Sequence, residues 1–166
     1  MLNSPDAKNA LSYLEKRGIT REIIDEYKIG YSLKGYTELQ KKFKADYTPL
    51  IFEKAGLVVK TEKGDIVDRF RHRIMIPIRD EAGNVIAFGA RAIDEGQSPK
   101  YLNSPDTILY NKSRVLYGID KAKNKMMEDD FVVIMEGYFD VISAQAAGLK
   151  NAVASCGTAL TVDHVR

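Results

Sequence analysis

The sequence has one cysteine, Cys156, in 166 residues, and that excludes an intramolecular disulfide. Its two histidines, His72 and His164, lie far from each other in sequence, so the spacing of a zinc site is missing. No apolar run approaches the length of a membrane span, and the N-terminus lacks a signal peptide's hydrophobic stretch; a soluble, cytoplasmic chain is expected. Net charge is small as well, +2 from 25 Lys and Arg against 23 Asp and Glu. Affinity for nucleic acid would have to come from segregated charge, not from basic composition. Internal repeats and low-complexity segments are absent. What is present is 45% apolar residues, enough to bury a core, in a length that suits one large domain or two small ones.

The first third has helical signals. In "NSPDAKNALSYLEKRG", Ser4 is a candidate N-cap, Pro5 takes the first helical position and Gly18 stops the helix. Ala7, Ala10, Leu11 and Leu14 share a face. "TREIIDEYKIG" repeats the device with Thr20 and Gly30. A third helix is expected after Thr37, and a fourth in "TPLIFEKAG" between Thr48 and Gly56. Helices this short should pack together, since none is stable alone. The middle then changes period. "LVVK", the turn "TEKGD", "IVDRFRHRIMIPIRD", the turn "EAGN" and "VIAFGARAI" read as antiparallel strands, with Pro77 at an edge or bulge. Residues 94–112 read as a long functional loop. A helix is expected from Ser113 to about Met127, then the strand "FVVIM", a helix from about Phe139 to Gly148 and the strand "NAVAS", together a parallel βαβ unit. Thr161 would cap one more helix. With only two parallel strands, this C-terminal part is expected to be the softer end of the fold.

Chemistry concentrates in "FVVIMEGYFDVISA", where a buried-strand pattern runs into Glu136, followed by Gly137 and Asp140. The carboxyl edge of a parallel sheet is where ligands bind, and carboxylates suit a hard divalent ion. A first-turn acid facing the helix dipole explains Glu136 equally well. In "DRFRHRIMIPIRD", Arg69, Arg71 and Arg73 alternate with Phe70, His72 and Ile74. Periodicity alone favours cations blunting an edge strand over a phosphate groove, and a packed His72 over a ligand. Lys100, Tyr101, Asn103, Lys112 and Arg114 mix charge, amide and aromatic in the long loop, as single-strand or nucleotide recognition would require.

The segments "YLEKRGIT", "DRFRHRIMIPIRDEAGNVIAFGAR", "PKYLNSPDT", "LYG" and "EGYFDVISAQAAG" with "NAVASCGTALT" stand in the order found in the catalytic core of bacterial DNA primases. The sequence resembles that family from about residue 8 to its end. The resemblance implies an α/β fold. A mixed α+β N-terminal subdomain, helices then antiparallel strands, would occupy residues 1–115. The start of a topoisomerase–primase (Toprim) domain, a truncated βαβ unit, would occupy 116–166, with the break near 115 to 130. By resemblance Glu136 is a metal ligand or catalytic acid for magnesium (Mg2+) or manganese (Mn2+), and Asp140 orients its neighbours. Arg17 in "EKRG", Arg91 in "FGAR", Lys100 and Asn103 in "PKYLNSP", and Lys112 would hold the single-stranded DNA template and the phosphates of ribonucleoside triphosphates. Arg69 and Arg71 would border that groove.

The resemblance also implies what lies elsewhere. The aspartates completing the metal site would follow Arg166. Zinc would belong to an N-terminal domain and the replicative helicase would engage a C-terminal domain, both outside this sequence. The expected function is part of a DNA-directed RNA polymerase, a nucleotidyltransferase making RNA primers in the bacterial replisome. The chain alone is expected to bind single-stranded DNA weakly and to synthesise nothing. A plasmid- or phage-encoded primase is the nearest alternative, and a non-catalytic single-strand-binding module is the alternative from another class. Paired aspartates downstream in the parent gene would distinguish enzyme from module.

Overall fold

The computed structural model describes Leu2 and residues 4–165. The Ser4 hydroxyl accepts from the Asp6 amide at 3.2 Å, and Pro5 opens a 3-10 turn, Pro5–Ala7, that runs into α1 (Lys8–Lys16). Ala7, Ala10 and Leu14 are fully buried, as the helical period requires. Thr20 caps α2 (Arg21–Tyr27). That helix ends at Lys28, which adopts a left-handed conformation with φ 55°, so the expected stop at Gly30 is two residues late. Gly30 instead opens β1 (Gly30–Ser32), a strand too short to leave a period in the sequence. α3 (Glu38–Phe43) and α4 (Pro49–Lys54) follow.

The four helices do not pack together as the one group expected of them. α1 and α2 share a core with the main sheet, while α3 and α4 lie on the hairpin of β2 (Val58–Lys60) and β3 (Ile66–Asp68). The expected continuous strand from Ile66 to Asp80 is broken at residues 69–72. The Arg69 amide still bonds to Leu57 O, but the His72 amide bonds to Leu33 O, so the chain leaves one ladder for another. His72 makes this turn with φ 52°. Its Nε2 faces the Asp94 carboxylate at 3.2 Å and its Nδ1 is hydrogen-bonded with the Tyr31 hydroxyl at 2.7 Å, contacts that compensate a strained backbone.

β4 (Arg73–Arg79), β5 (Val85–Ala92) and β6 (Tyr101–Asn103) complete an antiparallel sheet in the order β1-β4-β5-β6. β1 pairs with β4 only as far as Met75. Pro77 therefore has a ladder partner on the β5 side alone, and its missing N–H leaves no gap. Residues 94–112 are not an unstructured loop, since β6 pairs with β5 within them.

The C-terminal part contains β7 (Leu116–Tyr117), α5 (Ile119–Asp129), β8 (Val133–Met135), α6 (Tyr138–Ala146) and β9 (Ala152–Ser155). β8 and β9 are parallel, as the βαβ pattern predicts, and β7 joins β9 antiparallel. The helix expected from Ser113 starts six residues later because β7 and the left-handed Gly118 intervene. A Cβ at Gly118 would stand 2.9 Å from Gln145 Nε2. Gln145 is fully buried and fully used. It donates to Gly118 O at 3.2 Å and Ala152 O at 2.8 Å, and accepts from the Tyr27 hydroxyl at 3.0 Å. Thr161 caps a last 3-10 turn, Val162–His164, reciprocally with the His164 ring. Among the described residues no helix is long and apolar enough to cross a membrane.

One core unites both parts. Leu14, Ile24 and Tyr27 meet Ile74, Ile76 and Ile78 of the sheet and Phe139, Val141, Ile142, Ala154 and Cys156 of the βαβ unit. Val141 and Ile142 are buried as expected, whereas Val132 and Ile134 are 37% and 44% exposed. α6 and β9 supply part of the central core, so the C-terminal part is packed into the rest of the fold and is not a separate two-stranded appendage. Gln145→Ala should cost about 3 kcal/mol, since two carbonyls and a hydroxyl lose their buried partner, and Tyr27→Phe about 1 kcal/mol. Urea denaturation measures both, and an unchanged midpoint for Gln145→Ala would contradict this account.

Candidate nucleic-acid interface

The register of β5 with β6 sets Arg91 opposite Tyr101 and Gly89 opposite Asn103, so these four residues share one face of the sheet. The end of α1 and the start of α6 meet that face. The Arg91 guanidinium carbon lies 5.1 Å from the Tyr13 ring centroid and 5.4 Å from that of Tyr101. The Arg17 guanidinium carbon lies 5.1 Å from Tyr13 and 5.3 Å from Phe139. Two cations are thus held by three aromatic rings. Among the described residues neither is ion-paired to a carboxylate. Arg91 Nη1 donates to Ala92 O at 2.6 Å, and Arg91 Nε is buried without a hydrogen-bond partner. Guanidinium groups stacked on rings keep N–H edges for a phosphate.

Asn103, expected at a nucleotide, is engaged by the protein itself. Its Nδ2 donates to Cys156 O at 2.8 Å, and its Oδ1 accepts from the Tyr138 hydroxyl at 2.9 Å. Its carbonyl accepts from Arg69 Nε at 3.2 Å and Nη2 at 3.0 Å. Burial pushes the Tyr138 hydroxyl's pKa well up, so it stays a donor. The three alternating arginines diverge because the strand breaks between them. Arg69 reaches β6. Arg71 bonds to Asp68 O, with its guanidinium carbon 5.2 Å from the Tyr36 ring. Arg73 is buried and donates to Pro99 O at 2.8 Å.

Lys100 and Lys112 are exposed, and among the described residues neither ammonium has an ion-pair partner. The backbone at Lys112 is fixed. Its amide donates to Asp106 Oδ1 at 3.0 Å and its carbonyl faces His164 Nε2 at 3.0 Å. His164 Nδ1 accepts from the Thr161 amide at 3.0 Å, so Nε2 carries the proton that it gives to Lys112 O.

β8 delivers Glu136 to its carboxyl end, and Gly137 caps α6 without a side-chain bond. Asp140 stands in the first turn, and a Cβ at Gly137 would lie 3.1 Å from its Oδ2, so this carboxylate folds back over the turn that Glu136 enters. Both acids are exposed. Hard carboxylate oxygens fit a divalent ion such as magnesium. Among the described residues no group of three or more His, Cys, Asp or Glu side chains is placed to hold one. An apolar cavity of about 520 Å³ under α3 and α4, lined by Met75, Phe88, Phe70 and Phe52 among others, includes none of the candidate residues.

Sequence reasoning did not single out Tyr13, Tyr138 or Phe139; the last two are buried in the core as well as meeting this face. The spacing of Tyr13 to Arg17, one helical turn, was the available signal.

A profile described as "DNA primase catalytic core, N-terminal domain" matches residues 1–123, and a Toprim domain profile matches residues 130–166. The chain is 42% identical over 157 residues to a DNA primase of Legionella pneumophila, covering 95% of this chain and 27% of that protein. It is 42% identical over 166 residues to a Salmonella typhimurium DNA primase, covering 99% and 28%. The RNA polymerase domain of Mycobacterium tuberculosis primase, solved with a double-stranded DNA carrying a 6-nucleotide overhang, superimposes with a TM-score of 0.92 at 38% identity, over 99% of this chain and 52% of that one. A primase catalytic domain bound to single-stranded DNA gives 0.88 at 40% identity, over 99% and 51%. The chain therefore spans about a quarter of the length of the full relatives it matches.

Gly89 is what lets Tyr138 reach Asn103, since a Cβ there would stand 2.5 Å from the Tyr138 ring, whereas one at Gly30 would meet Met75 at an ordinary 3.6 Å. Gly89→Ala should therefore cost about 2 kcal/mol, and Gly30→Ala less than about 0.5 kcal/mol. Thermal melts of the two variants check the contrast; equal losses would contradict it.

Proposed function

The chain belongs to the DNA primase catalytic-core family, and on that premise we propose that it carries the template- and nucleotide-holding face of a DNA-directed RNA polymerase, together with the first acids of its metal site. The observation that carries this reading is the first turn of α6. Three consecutive residues there join the parts: Tyr138 bonds to Asn103, the Phe139 ring lies against Arg17, and Asp140 folds back toward Gly137 and the Glu136 turn. One helix start thus serves the cation cluster and the acids together.

In this reading the residues up to about 115 hold the template and those from 116 begin the Toprim part. Arg17 and Arg91 take phosphate oxygens through unspent N–H groups, and Lys100 and Lys112 add diffuse positive charge. Tyr101, 42% exposed beside Arg91, offers a ring on which a base can stack. Arg69 and Arg71 border the groove, and Asn103 holds its floor. Glu136 would hold a magnesium or manganese ion, with Asp140 keeping the turn negative. Such an ion, when bound, supplies Lewis-acid charge for activating a 3′-hydroxyl and stabilising leaving pyrophosphate. The substrates are a single-stranded DNA template and ribonucleoside triphosphates, the product is an RNA primer, and a replicative helicase is the partner that would bring the enzyme to its template.

Fluorescence anisotropy with a labelled single-stranded oligonucleotide tests the reading. Weak binding that falls with salt is expected. Lys100→Ala with Lys112→Ala should flatten the slope of log affinity against log salt by about 0.7 for each phosphate no longer neutralised. Among the described residues neither ammonium is ion-paired, so the double variant should stay folded. Binding as tight as the parent's would sink the assignment of these lysines.

A further inference from the structure

Arg17 and Arg91 come from different elements, one ending α1 and the other inside β5, yet both guanidinium carbons sit 5.1 Å from the same ring. Two points 5.1 Å from one centroid are at most about 10 Å apart, so the like charges repel, and among the described residues no ion pair with a carboxylate offsets the repulsion. The Tyr13 hydroxyl is buried without a hydrogen-bond partner, so no polar bond explains the residue's place. Its ring does touch both cations, and it also lies 6.0 Å from the Phe139 ring, on the turn that leads from Glu136.

We propose that Tyr13 is a positioning residue whose ring holds Arg17 and Arg91 side by side, so that the pair binds one phosphate of a nucleic-acid strand as a unit. The inference rests on the function proposed above and deepens it. Two guanidinium groups held by one ring present several N–H donors, and a phosphate bound by both offsets the repulsion between them. Without the ring, each arginine keeps its charge but loses its aim. Tyr13 touches no substrate in this scheme and acts through the arginines.

The salt dependence of oligonucleotide binding separates this from a packing role, because the slope reports how many phosphates are neutralised and Tyr13→Leu removes no charge. Tyr13→Leu should flatten the slope by about 0.7, the share of one phosphate on a single strand. Tyr13→Phe, which keeps the ring, should restore the parent's slope. A Tyr13→Leu protein that melts like the parent and keeps the parent's slope overturns the proposal. Should Tyr13→Leu not fold, Arg17→Gln, Arg91→Gln and their combination decide. A pair acting as a unit loses nearly as much from one substitution as from two, and strictly additive losses overturn the proposal. A parent chain that binds no single-stranded DNA at all would instead overturn the proposed function, and this inference with it.

Discussion

The side-chain amide of Asn103 bonds one sheet to the other at the candidate interface, above the core that the two parts share. Its two ends bond to the backbone after β9 and to the first residue of α6, while its own carbonyl anchors Arg69. Everything around it is shaped to permit these bonds. Gly89 gives up a side chain so that the Tyr138 ring can lie on β5, and the Tyr117 ring meets Tyr138 edge-on at 4.8 Å from behind. Gly157 turns with φ +73°, and a Cβ there would stand 2.9 Å from Asn103 Nδ2. A half-buried amide satisfied at both ends favours one relative placement of two elements, because sliding would leave polar groups partly desolvated and unpaired. A basic face on one sheet and an acidic turn on the other are thereby kept in a fixed relation.

The near-neutral composition is reconciled with that basic face by where the acids are spent. Glu26 pairs with Lys121 at 2.8 Å, Asp129 with Lys125 at 2.7 Å and Glu38 with Lys41 at 3.0 Å, all on helical surfaces away from the Tyr13 ring. The cations at the candidate interface are stacked on rings or exposed. Segregation here is a matter of pairing, with aromatic residues doing at Arg17 and Arg91 what carboxylates do elsewhere. Exposed ion pairs contribute little to stability, so the fold loses little by leaving these cations unpaired.

Much of this architecture was readable in the sequence, and the failures share one cause. Helix starts at Ser4 and Thr20 were visible because capping is local chemistry. The βαβ unit was visible because its strands are continuous apolar runs. β1, β6 and β7 were not, since strands of two or three residues exist only through their neighbours. The break at Arg69–His72 was hidden for the same reason: alternation in the sequence persists across it, while the bonds that turn the chain go to Leu33, Tyr31 and Asp94. Motifs located the cations and the acids. The aromatic ring linking Arg17 to Arg91 could not be found that way, because the two arginines are distant in sequence and only the fold brings them to Tyr13.

Glu136 invited two readings from sequence, a charge serving the helix dipole or an acid serving a metal. In the fold a second residue is available for the first of these roles. Asp140 occupies the first turn of α6, where a carboxylate is favoured by the helix N-terminus, and it folds back toward Gly137. Glu136 precedes the cap, outside the helix, at the carboxyl end of a parallel strand. With the dipole already served, the backbone requires nothing of Glu136. An exposed acid at the edge of a parallel sheet, one turn from a ring that holds a cation, is the geometry on which the metal role proposed for Glu136 rests.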